Sequence, residues 1–279
     1  MIAVIGAGTM GNGIAHVFAQ NNFLVSLIDT EKLALDKAIS TIAKNLDRQI
    51  AKGSITSSVK ELTLSNINLY SDLKSGIGDA DLIIEAATEN CEIKKKIFAE
   101  MDKFAKPGCI LATNTSSISI GELAAATLRP AQVIGMHFMN PVPIMKLVEV
   151  INSKETDLSV TQTIVSLTEK LGKIPCVVND FPGFIANRIL MPMINEAILA
   201  LSEGVSDAST IDQIMKLGMA HPMGPLQLAD YIGLDVCKNI LEIMQQGFNN
   251  TKYAPADLLL QKVAEGKLGV KTGEGFYKY

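Results

Sequence analysis

The chain has 279 residues, enough for two hydrophobic cores rather than one. With 48% hydrophobic and 19% charged residues it is a folded globular protein, and no uninterrupted apolar run reaches the roughly 18 residues of a membrane span. A net charge of −4 argues against a nucleic-acid surface, and four cysteines outside any CxxC pair imply free thiols in a reducing compartment and no metal site.

The chain opens on Ile2–Ile5, an apolar run without the basic start or cleavage site of a signal peptide. It reads as a buried first strand, and the expected location is cytoplasmic. Gly6-Ala7-Gly8-Thr9-Met10-Gly11 follows as a GxGxxG, and the amphipathic stretch Asn12–Gln20 comes next. A glycine loop between strand and helix gives a tight turn, a bare backbone for a pyrophosphate, and close packing of helix on strand. The second strand, Leu24–Ile28, ends in Asp29, eighteen residues after Gly11, where a carboxylate accepts from ribose hydroxyls and repels a 2′-phosphate. NAD is therefore the expected cofactor, in preference to NADP, with Lys32 the nearest cation. His16, behind the loop, reads as a packing residue.

Glu31–Leu64 is polar, helical in spacing and longer than a minimal crossover, which predicts an inserted helical hairpin. It carries Lys37, Lys44, Arg48, Lys52 and Lys60, either a solvated face or a meeting place for an anionic ligand. Short apolar runs resume at Ile67–Tyr70, Leu82–Ala86, Ile110–Ala112, Val133–Met136, Lys146–Ile151 and Pro175–Val178, the pattern of a parallel sheet covered by helices. Beyond residues 179–183 the spacing becomes helical, with Ile185–Ser202, Ala208–Leu217, Leu226–Gln245 broken at Gly233, and Pro255–Glu265. The expected fold is α/β: a Rossmann-type dinucleotide-binding domain with an inserted helical hairpin over residues 1–180, then an all-α C-terminal domain over 181–279. Ile189, Leu190, Met191, Met193, Ile194, Ile198 and Leu199 offer more apolar surface than so small a domain buries, which predicts a homodimer formed through it.

Residues 136–150 read as a strand, a turn punctuated by Pro141 and Pro143, and a second strand, which brings His137 towards Glu149. Oxidation of a secondary alcohol needs a base for the hydroxyl proton, and imidazole titrates in the right range. A carboxylate on its other nitrogen fixes the tautomer and stabilises the imidazolium. Of the other two histidines, His221 lies in a turn of the helical part and His16 behind the glycine loop.

From end to end the chain resembles the 3-hydroxyacyl-CoA dehydrogenase family. The resemblance is carried by Gly6–Gly11, residues 114–117 (Asn-Thr-Ser-Ser), His137 to Glu149, residues 180–188, Pro222-Met223-Gly224-Pro225, and residues 271–277. It implies a short-chain acyl-CoA substrate, His137 as base and Glu149 as its partner. It places Ser116, Asn140 and Asn187 around the substrate and the reacting oxygen, Glu89 and Lys94 at the nicotinamide half, Lys52 towards the CoA phosphates, and Lys271 near the cofactor. Capping is the plain alternative for Ser116 and Glu89, and a tie between domains for Asn187. Met139 stands where the family usually has Phe, and the expected form is the stand-alone one, without a fused hydratase or isomerase domain. The same fold and dyad also serve dehydrogenases of the L-gulonate and lambda-crystallin type, against which the Lys-bearing hairpin favours CoA; a non-catalytic NADH-sensing or crystallin-like structural protein is the other alternative, against which joint retention of His137, Glu149, Ser116 and Asn187 favours catalysis.

Overall fold

The computed structural model describes residues 1–279, and these form two compact units, Met1–Asp180 and Phe181–Tyr279. The first is built on eight strands: β1 (Ile2–Ile5), β2 (Val25–Ile28), β3 (Ile67–Tyr70), β4 (Leu82–Glu85), β5 (Ile110–Thr113), β6 (Val133–Phe138), β7 (Leu147–Asn152) and β8 (Ile174–Asn179). They lie in the order β3-β2-β1-β4-β5-β6-β7-β8. The central strands are buried along their whole length, as expected where helices cover both faces of a parallel sheet.

Helix α1 (Thr9–Gln20) buries Ile14 and Phe18 against Val4 and Leu27. The inserted hairpin is α2 (Lys32–Ala51) and α3 (Ser57–Ser65), and α2 adds Leu35, Ile42 and Leu46 to the same core. Short α4 (Leu73–Ile77) follows β3, α5 (Cys91–Phe104) follows β4, α6 (Ile120–Ala124) follows β5, and α7 (Leu158–Lys170) connects β7 to β8.

The sheet departs from the all-parallel expectation at one place, because β6 and β7 pair antiparallel. Their connection, Met139–Lys146, holds no helix, and a parallel return requires a crossover of a dozen or more residues. β6 also runs two residues past the expected Met136, so that His137 lies within the ladder rather than beyond it.

The second unit contains α8 (Ala186–Ser202), α9 (Ala208–Gly218), α10 (Pro225–Ile232), α11 (Leu234–Phe248) and α12 (Asp257–Ala264). The expected break at Gly233 is present, with φ at +104°. Met191, Ile194, Ile198, Leu226, Leu241 and Leu259 are among the residues of its core. Two buried acids brace it: Asp212 accepts from the amides of Leu226 and Gln227, and Asp230 from those of Phe276 and Tyr277. The backbone groups of a helix start and of the C-terminal tail are satisfied in this way.

Candidate active site

The loop after β1 is shaped by its glycines. Gly6 has φ at +98°, and a Cβ there would press on the Ala86 carbonyl. A Cβ on Gly11 would overlap the Gly6 carbonyl oxygen, so α1 lies against the loop only because that residue has no side chain. Gly8 differs: its backbone is extended, with φ at −65°, and nothing lies within 4 Å of where its Cβ would be. The protein leaves room there without needing it. No side chain caps α1, so its first amides and the positive end of its dipole face that space, an arrangement suited to a pyrophosphate. Asp29 anchors the same end, accepting from the amide of Ala7 at 2.8 Å and that of Glu31 at 3.0 Å. The residues Gly6, Ala7, Gly8, Thr9, Met10, Gly11 and Asp29 therefore fit NAD. Gly8→Val is expected to weaken NADH binding at least about tenfold, while Tm stays within about 2 °C of the parent. Fluorescence titration with NADH and a thermal melt check both halves.

A second feature sits where β4 and β5 end. Glu85 and Thr113 are register partners across these strands, and Glu85, fully buried, accepts from Thr113 Oγ1 at 2.7 Å and the Ala87 amide at 2.6 Å. Its charge is met by Lys94 of α5, whose Nζ lies 2.6 Å from Glu85 and 3.4 Å from Glu89. Glu89 in turn accepts from Thr115 Oγ1 at 2.6 Å, Ser117 Oγ at 2.9 Å and the Ser116 amide at 3.0 Å. Burial would raise its pKa, but the Lys94 charge and these hydrogen bonds outweigh that and hold the carboxyl below its usual range. Carboxylate, ammonium and carboxylate thus tie the two loops bearing Glu89 and Ser116 into one unit. Asn90, not Glu89, caps α5, accepting from the Ile93 amide.

The third feature is the β6–β7 pair. His137 and Glu149 are direct register partners, and Nδ1 of His137 lies 2.8 Å from Oε2 of Glu149. Side-chain exposure is 10% for the histidine and 3% for the acid, so the contact is little diluted by water. Strand alternation puts His137 on the sheet face shared by Gly135 and its partner Thr113. Asn114 joins this ladder to the preceding loop by accepting from the Phe138 amide at 2.9 Å.

The remaining expected residues fall as follows. Asn140 begins the β6–β7 turn and, with Gly8, Thr9, Lys37, Thr41 and Asn45, lines a cavity of about 390 Å³. Lys52 is exposed at the end of α2. Lys94 is 1% exposed and its ammonium is committed to Glu85, Glu89 and the Ala87 carbonyl, so it acts on the loop through Glu89. Asn187 and Lys271 belong to the second unit, Asn187 buried on α8 and Lys271 paired with Asp235 at 2.5 Å. His16 is fully buried, out of reach of a substrate, and burial lowers its pKa to about 4 by disfavouring its charge. Sequence reasoning missed Glu85, Thr113 and Thr115; the signal available was an acid closing the apolar run Leu82-Ile83-Ile84.

A glycine loop at the head of this sheet and a histidine braced by a carboxylate are features that suit an NAD-dependent dehydrogenase. Residues 1–181 match the NAD binding domain of 3-hydroxyacyl-CoA dehydrogenase and residues 183–279 its C-terminal domain. The chain belongs to the 3-hydroxyacyl-CoA dehydrogenase family. It is 52% identical to the probable 3-hydroxybutyryl-CoA dehydrogenase of Deinococcus radiodurans over 99% of both chains. With the 3-hydroxybutyryl-CoA dehydrogenase of Bradyrhizobium diazoefficiens it shares 50% identity, over 100% of this chain and 94% of the other. The crystal structure of (S)-3-hydroxybutyryl-CoA dehydrogenase from Ralstonia eutropha superimposes with a TM-score of 0.97 at 45% identity, covering 100% of this chain and 98% of that one.

Proposed function

We propose that the chain oxidises (S)-3-hydroxybutyryl-CoA to acetoacetyl-CoA with NAD, and runs the reverse reduction, in fatty-acid or butyrate metabolism. The observation that carries this reading is the 2.8 Å contact between His137 Nδ1 and Glu149. With Nδ1 engaged by the carboxylate, Nε2 is the nitrogen that takes the substrate's hydroxyl proton, and Glu149 stabilises the cation that forms. NAD, when bound, supplies the acceptor for the hydride that leaves carbon 3. Ser116, Asn140 and Asn187 are assigned to the substrate: they hold its 3-oxygen and thioester and order the water around them. Glu89 serves the nicotinamide half, with Lys94 behind it. Lys52 and its neighbours on the hairpin meet the CoA phosphates, and Lys271 belongs to the cofactor side.

A homodimer through residues 181–279 is part of the proposal. Of the apolar residues expected to support it, Met191, Ile194 and Ile198 are buried in the unit's own core and Leu190 and Leu199 pack against that core, whereas Ile189 stays 66% exposed; with Leu217 at 84% and Met219 at 61% it leaves apolar surface that favours burial against a second copy. A cytoplasmic location fits four free thiols and a reaction that draws on NAD and acyl-CoA.

Steady-state kinetics with acetoacetyl-CoA and longer 3-oxoacyl-CoA esters, using NADH and NADPH, tests the activity. The expected result is highest kcat/KM with the four-carbon ester and NADH. A preference for longer esters would refute the assigned substrate, and turnover of L-gulonate without turnover of any CoA ester would refute the class. Light scattering on the same preparation should return twice the chain mass.

A further inference from the structure

Lys173 lies between α7 and β8, 8% exposed, and its ammonium ends on main-chain carbonyls. Nζ donates to the carbonyls of Val142 and Met145, each at 2.6 Å. Both belong to the β6–β7 connection, Met139–Lys146, which also holds Asn140. Pro141 and Pro143 carry no N–H to donate within this connection, and its internal backbone bonds are those of the Ile144 and Met145 amides to the Pro141 carbonyl. Burial lowers the pKa of Lys173, and neutral acceptors offset that cost less than a carboxylate would.

Two contacts connect this turn to the cofactor loop. Val142, 2% exposed, sits against α1 so closely that a Cβ on Gly13 would come within 2.8 Å of it. Asn140 and Pro143 line the same cavity as Gly8 and Thr9. The turn is therefore a wall of the site, clamped from behind by one ammonium. We propose that Lys173 is a positioning residue, which holds the Asn140–Lys146 turn in register with the glycine loop and so sets the geometry at which Asn140 meets the ligands. The inference rests on the role assigned to Asn140 above.

Lys173→Met keeps the length and apolar stem but removes the donors, and Lys173→Gln keeps N–H donors on a stem too short to serve both carbonyls. For each, kcat and KM for acetoacetyl-CoA and NADH are measured per folded molecule, beside Tm. The expected result is a fall in kcat/KM of about tenfold to a hundredfold in K173M, the scale of a displaced positioning group, with K173Q intermediate and Lys173→Arg partly restored. A purely structural lysine would lower Tm and leave these parameters alone, so values within twofold of the parent in K173M, or in K173Q should K173M not fold, overturn the proposal. Combined with Asn140→Ala, K173M is expected to add little further loss; fully additive losses also overturn it. A silent N140A, by contrast, refutes the assignment of Asn140 itself while K173M still reports on the turn.

Discussion

Glu149→Gln is expected to lower kcat by about 10²- to 10⁴-fold while leaving the NADH dissociation constant within about twofold. The amide preserves the shape of the site and the hydrogen bond's reach, but removes the charge that stabilises the imidazolium and lets the other tautomer compete. The acid is 3% exposed and only 2.8 Å from Nδ1, so water cannot replace it. Reduction of acetoacetyl-CoA followed at 340 nm gives kcat, and NADH fluorescence gives the affinity. His137→Ala should fall at least as far, and the double variant should lose little more than either alone, because the two residues act as one device. Near-parental turnover in E149Q would defeat the dyad.

Lys94→Met is the change with the largest expected effect on stability. It leaves Glu85 with its carboxylate 0% exposed and no cation beside it, a situation that costs about 3–5 kcal/mol when one partner of a buried pair is removed. For a unit of this size that is a fall in Tm of roughly 10 °C. The double variant Glu85→Gln with Lys94→Met should regain much of the loss, since neutral Gln still pairs with Thr113 Oγ1 and the Ala87 amide. Thermal and urea unfolding of the three variants measure this, and a K94M melt within 2 °C of the parent would show that the pair contributes little. K94M should also bind NADH more weakly, because Glu89 loses the cation that steadies it.

Features that depend on near neighbours were legible in the sequence. The glycine loop, Asp29, the inserted hairpin and the break at Gly233 each follow from a few adjacent residues, and His137 and Glu149 are joined by one short turn. What escaped notice depends on chain segments that meet only in the fold. Glu85 looks like the polar end of an apolar strand until β5 brings Thr113 beside it and α5 brings Lys94 over it. Lys173 looks like an ordinary turn lysine until β8 carries it under residues 142–145. The direction of β7 was legible locally, because the short turn marked by Pro141 and Pro143 leaves no room for the crossover a parallel return requires, although the wider pattern of strands and helices read as a parallel sheet.

The antiparallel turn between β6 and β7 also bears on how the enzyme could move. His137 and Glu149 stand twelve positions apart in the chain and face each other on one rung of the ladder, so the loop that must close to unite them is short. Separating the two side chains would require parting β6 from β7, so they stay opposed for as long as that pairing holds.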